Sequence, residues 1–291
     1  MKTRDLHPAE FPDCIKNLEN PPAHFSVAGD IDPEGSTKVI AFVGAREAES
    51  ESVAFIKSLA MKCAENGAII VSGGALGIDR ASHEGALDAG GRTWAVMGCG
   101  SDYTSPPENV DLFARLRASE RAALIWPFEH DRKPGPQNFL ARNRILIGLA
   151  DVVVVGQAGL ISGSRSSASI ARRTRKPLWV VPASPWKTNF AGSLLEIDMG
   201  AKTLISEAHF LTAMFGPGAA SKGHKTKPIV NRSPEETALL EAATERPEHV
   251  DELCEIAGLS PPSAATALLT LALEHVLVEG PPGYYRKGVT K

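Results

Sequence analysis

Cysteine is scarce in this sequence and nowhere spaced for chemistry. Cys14, Cys63, Cys99 and Cys254 form no C-x-x-C pair and no Cys/His cluster of ligand spacing. Reduced thiols in a cytoplasmic protein are therefore expected, with no metal and no other cofactor. Long apolar runs are missing too: none reaches the ~18 residues of a membrane span. The start, MKTRDLHPAEF, has no apolar signal core, so no membrane partner is expected. No G-x-x-x-x-G-K-[ST] stretch occurs, which excludes a P-loop nucleotidase. Gly73-Gly74-Ala75-Leu76-Gly77 is not G-x-G-x-x-G, and no acid closes the following strand, which argues against a dinucleotide cofactor. Asp79 and His83 stand four apart on one helix face, as a base and its orienter would. No Ser or Cys is placed as their nucleophile. We expect Asp79 to cap the helix start, His83 to bond a neighbouring loop, and the protein not to be an enzyme.

What is present is a strand, a glycine-rich turn and a helix N-terminus. Ile69-Ile70-Val71 has the length and branching of a buried strand. It breaks at Ser72-Gly73-Gly74, and Gly77 opens a helix through Leu87. Converging backbone amides and the helix dipole suit such a turn to an anion. Around it, strands at Lys38–Gly44, Arg92–Gly98, Ala122–Trp126, Val152–Val155 and Pro177–Val181 alternate with helices at Glu49–Asn66, Val110–Ala118, Asn138–Ala150 and Ser164–Arg175. That alternation predicts an α/β fold with a Rossmann-like, doubly wound, mostly parallel sheet, its ligand at the carboxyl ends of the strands near the switch in strand order.

Residues 1–36 show little periodicity and read as an irregular lead-in. Residues 37–215 form the Rossmann-like domain, and the Gly/Pro-rich stretch 216–233 a linker. Residues 234–291 read as helices at Pro234–Arg246, Val250–Ala257 and Pro261–Leu273, followed by a hairpin with a Pro-Pro-Gly tip. That is a winged helix-turn-helix pattern.

Charge is unevenly placed. Between Arg132 and Lys187, ten Lys/Arg face one acid, Asp151, a net of +9 in a chain of net charge −3. A basic stripe over a glycine-lined cleft is the footprint of a polyanion. Residues 231–291 carry five Lys/Arg against ten Asp/Glu. The helix in the recognition position, Ser260–Leu273, has no basic residue, so this unit is expected to contact protein rather than a DNA groove.

Together these blocks resemble the DNA-processing protein A (DprA/Smf) family. The resemblance rests on VGAR at 43–46, SGGALGIDRASHEGAL at 72–87, GCGSDYTSPPEN at 98–109, NFLARNRILIGLA at 138–150 and SGS at 162–164, in family order. It implies single-stranded-DNA binding in a basic, Gly-rich cleft, loading of a RecA-type recombinase, and a homodimer. Residues expected at the DNA backbone are Arg46, Ser72, Gly73, Gly74, Gly77, Arg142, Asn143, Arg144, Ser162, Gly163, Ser164 and Arg165. The sequence departs from the family pattern at Leu76, Leu140, Ala141 and Ala183, with Arg165 placed to restore a lost charge. Two alternatives remain at this point. One is a DprA-like partner or antitoxin in a toxin–antitoxin or phage-defence pair. The other is a nucleotide N-glycoside hydrolase of the lysine-decarboxylase-like group, although GQAGLISGS lacks that group's PGG and following Glu.

Overall fold

A computed structural model describes residues 1–33, 35–219, 233–244, 246–273, 276–280 and 283–287. The chain divides into two compact units, Met1–His224 and Lys225–Lys291.

The first unit enters its sheet at once. β1 (Thr3–Asp5), α1 (Asp13–Lys16) and β2 (Ser26–Ala28) fall within the expected lead-in. β2 pairs antiparallel with β1 and with a later strand, burying Ser26, Val27 and Ala28. The lead-in is therefore part of the sheet. Strands of three residues are too short to display alternation, and this is why the sequence pattern concealed them.

The central strands are β3 (Val39–Val43), β4 (Ile69–Ser72), β5 (Arg92–Val96), β6 (Ala122–Trp126), β7 (Val152–Val155), β8 (Leu178–Val180) and β9 (Lys202–Thr203). Between them run α2 (Ser50–Glu65), α3 (Ile78–Asp88), α4 (Val110–Ala118), α5 (Pro136–Leu149), α6 (Gly163–Arg173) and α7 (Ala191–Asp198), and α8 (Glu207–Phe215) closes the unit. The strand order is β1-β2-β6-β5-β4-β3-β7-β8-β9, parallel from β6 to β9. Strand side chains alternate between faces. On β3, Ile40 and Phe42 join Ile56, Ile78 and Phe210 in one core. Ala41 and Val43 join Ile145, Leu146 and Ile170 in the other. The expected doubly wound, mostly parallel sheet is what forms.

The second unit holds α9 (Pro234–Ala242), β10 (Glu248–His249), α10 (Val250–Ala257), α11 (Pro261–Leu273), β11 (Leu277–Glu279) and β12 (Tyr284–Lys287). Its sheet order is β10-β12-β11, and Leu239, Leu253, Leu268, Leu271 and Leu277 share its core. Ser233 and Glu236 form a reciprocal capping box at the start of α9. That helix ends before Arg246 because Ala243 turns extended and the Thr244 hydroxyl accepts the Arg246 amide. The Pro-Pro tip of the hairpin lies outside the described residues, as do residues 220–232 of the linker. No helix among the described residues is long and apolar enough to cross a membrane.

Candidate nucleic-acid interface

The chain starts its parallel sheet at β3, winds outward to β6, and returns to the other side of β3 at β7. The carboxyl ends of β3 and β7 thus diverge at the switch in strand order, where doubly wound sheets open a crevice. A cleft of about 590 Å³ lies there. Gly44, Ala45 and Arg46 after β3 and Gln157 and Gly159 after β7 line it, together with Phe139, Asn143, Ser162, Gly163 and Ser164.

Two helix N-termini, those of α5 and α6, reach this cleft through Pro136 and Gly163. Neither has a side-chain cap or an acid in its first turn. The dipoles of both helices and the first-turn amides of α6 favour an anion; at α5, Pro136 has no N–H, and Asn138 and Phe139 already donate to Gly135 O. Arg46 is exposed at the rim, makes no ion pair among the described residues, and lies 5.1 Å over the Phe139 ring. Phe139 in turn packs where Gly98 has no side chain: a Cβ there would sit 2.3 Å from the ring. Asn143 donates to the Gly163 carbonyl at 3.4 Å and ties α5 to the start of α6. Gln157 is buried with its Oε1 accepting the Glu49 amide, while its Nε2 has no hydrogen-bond partner among the described residues. Glu47 and Asp79 are the acids among the lining residues. Gln157 and Phe139 were not among the expected site residues. For Gln157 the available signal was its position just past a strand at the ligand end of the sheet.

The glycine turn after β4 behaves differently from expectation. It stands one strand away from the switch and gives the cleft only Ala75 and Asp79. Asp79 accepts the amides of Gly73 at 3.2 Å and Ala75 at 3.4 Å, so an internal carboxylate fills the anion position. Arg142, 4% exposed, presses its guanidinium on Gly73, where a Cβ would be 2.1 Å from Nη1. It also donates to the Val96 carbonyl. Burial pushes the Asp79 carboxyl up from its usual range, and Arg142 and the two amides pull it back. Ser72 is buried and donates to Phe42 O at 2.7 Å. Gly74 makes room for Phe113, and Gly77 for the Ala45 and Arg46 carbonyls. Ser72, Gly73, Gly74 and Gly77 therefore shape the wall from within and are not among the lining residues, whereas Arg142 lines the cleft while remaining almost wholly buried as a strut.

Arg144 is exposed but lies outside the cleft, lining a depression with His24, Glu129 and Arg132. Residues two apart on a helix point about 200° apart, so Arg142 and Arg144 cannot serve one trough. Arg165 is engaged elsewhere: its Nε donates to Glu196 at 3.0 Å and its Nη1 to Leu160 O at 2.8 Å. Arg172 pairs with the same buried Glu196. Lys187 pairs with Glu49, and Lys176 donates to the Gly148 and Ala150 carbonyls at the end of α5. Much of the +9 segment is thus internal cross-linking. His83 hydrogen-bonds not a loop but Thr93 on β5, at 2.7 Å. The Thr93 hydroxyl donates to Ile70 O, so His83 Nδ1 carries the proton. Burial and Arg142 hold that imidazole down at about 3, uncharged and away from the cleft.

Comparison with known proteins fixes the family. A model described as DNA recombination-mediator protein A matches residues 3–215. The chain belongs to this family, DprA. A second model, the DprA winged helix domain, matches residues 224–281. Among DprA relatives, Protein Smf of Synechocystis is 26% identical over 96% of this chain and 78% of its own length. The solved structure describing the single-stranded DNA binding mode of DNA processing protein A from Helicobacter pylori is 32% identical. It has a TM-score of 0.65 and covers 73% of this chain and 95% of that one. The Streptococcus pneumoniae DprA structure is 28% identical, with a TM-score of 0.67, covering 74% and 75%. The DprA assignment fits the recombination-mediator reading and neither the antitoxin nor the glycoside-hydrolase alternative.

Proposed function

We propose that this DprA-family protein binds the backbone of single-stranded DNA in the cleft at the ends of β3 and β7, without reading bases, and hands that DNA to a RecA-type recombinase. One observation carries the reading. Arg46 is an exposed cation engaged by no acid among the described residues, set over an aromatic ring at a cleft walled by two uncapped helix N-termini. A cation on an aromatic face serves a flexible strand well, because phosphate meets charge while bases have a ring to stack on. The Helicobacter pylori relative, whose single-stranded DNA binding mode is described, supports the ligand. The DNA-facing set is Arg46, Phe139, Asn143, Ser162, Gly163 and Ser164, while Arg142 and the glycine turn hold the wall in place.

The acidic winged helix is assigned to a protein partner, and the functional unit to a homodimer. Anisotropy titration of an oligo-dT strand at two salt concentrations tests the binding. With about six phosphates engaged, affinity drops about 300-fold from 50 to 200 mM salt; no binding, or a flat salt response, overturns it. Recombinase handover is read separately, as faster filament nucleation on the same DNA.

A further inference from the structure

At the far side of the sheet, three side chains from separate segments converge. Asp5 ends β1, His24 precedes β2, and His130 lies in the loop after β6. Among the described residues this is the one group of three His, Cys, Asp or Glu whose ligand atoms all fall within 4.8 Å of one another. β1 and β6 both run antiparallel to β2, so the carboxyl ends of β1 and β6 emerge together and carry the cluster.

The geometry is that of a coordination shell. Asp5 Oδ1 lies 3.0 Å from His130 Nε2 and 3.6 Å from His24 Nε2. Ligand atoms about 2.1 Å from a tetrahedral ion stand roughly 3.4 Å apart. Both imidazoles turn Nε2 inward and are held from behind through Nδ1. His24 Nδ1 is 3.4 Å from Glu129 Oε2, and His130 Nδ1 hydrogen-bonds the Ser101 hydroxyl. Metal-binding histidines are oriented in this way, the distal nitrogen fixed by a carboxylate or hydroxyl. The two rings meet edge to face, 4.9 Å between centroids. A second observation bears on the same atoms: His24 Nε2 is buried and has no hydrogen-bond partner among the described residues. A bare proton shared between Asp5 and His130 leaves that nitrogen unsatisfied, whereas an ion at the centre satisfies all three.

We propose that Asp5, His24 and His130 bind a divalent transition-metal ion of the zinc class, which cross-links the N-terminal strand, the turn before β2 and the loop after β6. Two imidazoles and one carboxylate suit such an ion, and with Asp5 ionised the core carries a net single positive charge. The loop it anchors also carries Arg132 and Lys133 and leads into the N-terminus of α5, so the ion fixes the approach to the cleft without touching it. The open coordination positions take water.

The test uses the full chain without an affinity tag, stripped with EDTA and exchanged into chelator-free buffer. Zinc is titrated in competition with a chromogenic chelator. The expected result is one zinc per chain with Kd below about 1 μM, weakened at least ~30-fold by His24→Gln or His130→Gln and unchanged by Cys14→Ser. Zinc raises the melting temperature of the wild-type chain and leaves that of the double His24→Gln/His130→Gln variant unmoved. Should the variants fold poorly, cobalt loading of the wild-type chain decides alone: nitrogen and oxygen ligation gives visible bands without a thiolate charge-transfer band. Zinc binding weaker than ~100 μM, zinc retained by the folded double variant, or a thiolate band each overturns the proposal and leaves a histidine–carboxylate hydrogen-bond network only.

Discussion

The carboxylate of Asp79 accepts the amide of Gly73 at 3.2 Å, so the glycine turn after β4 already holds an anion of the protein's own. Arg142 completes the arrangement by lying against the same glycine. The turn is a closed joint, and the ligand-facing chemistry is moved one strand over, to Arg46 and the starts of α5 and α6.

Breaking that joint on one side is costly. Asp79→Asn leaves the Arg142 charge buried without its counter-charge, an expected loss of about 3–5 kcal/mol in urea unfolding. Arg142→Met leaves Asp79 exposed to the reverse penalty. The double variant is expected to lose less than the two singles combined, by about 2 kcal/mol. Simple additivity would show that the two groups do not interact.

Two arginines expected at the DNA part company. Arg46→Ala is expected to weaken oligo-dT binding about tenfold and to lower the salt slope by ~0.7, with stability changed by less than about 0.5 kcal/mol. Arg165→Ala strips one partner from buried Glu196 and is expected to cost about 1–3 kcal/mol of stability, with DNA affinity within about threefold of wild type. The measurements are anisotropy and chemical denaturation on the same samples. An exchange of the two phenotypes would return Arg165 to the interface.

Acid sensitivity follows from His83. Its imidazole sits at about 3 in the fold, against ~6.5 in the unfolded chain. Below pH 6.5 the unfolded chain takes up a proton that the native state refuses. Stability is therefore full above that value and falls as pH drops toward 3, by at most about 1.4 kcal/mol per unit. His83→Gln removes this contribution, so the stability gap between wild type and variant is expected to narrow from pH 7 to pH 5. A constant gap would mean that His83 takes up its proton equally in the folded and the unfolded chain.

Gly77 stands at φ 70°, with the Ala45 carbonyl 2.3 Å from where a Cβ would be. Gly77→Ala strains the backbone and pushes on a carbonyl that cannot rotate away, an expected cost of about 3 kcal/mol. Because the displaced segment carries Arg46, oligonucleotide affinity is expected to fall as well. Unchanged affinity in a destabilised variant would separate the turn from the cleft.

Much of the fold was readable in advance. Val110–Ala118, Ala122–Trp126 and Val152–Val155 begin and end where expected, because each is an apolar pattern of ordinary length between polar breaks. Parallel pairing was readable as well, since crossovers through helices force it; the strand order and the place of the switch beside β3 came with the structure. The site was readable only in part. Arg46, Arg142, Asn143 and Ser162–Ser164 do line the cleft; Arg46 and Ser162–Ser164 lie just past a strand or at a helix start, whereas Arg142 and Asn143 sit in the middle of α5. Glycine was ambiguous: Gly73 and Gly77 make room for an arginine and for backbone, and sequence alone does not separate these from a phosphate. Charge was ambiguous in the same way. Glu196, the acid that engages Arg165 and Arg172, lies beyond the basic segment, and only the packing of α7 against α6 brings it there. Asp5, His24 and His130 are too far apart in the chain for any spacing rule to connect them.

The strands at the two margins of the nine-stranded sheet are short: three residues in β1, two in β9. Unpaired strand margins are templates for extending a sheet from one molecule into the next. Here they offer few rungs, and β1 presents charged Arg4 and Asp5. Runaway polymerisation by strand addition is thereby discouraged. Strand addition at β1 and β9 is likewise a poor route for this unit to pair with a second copy.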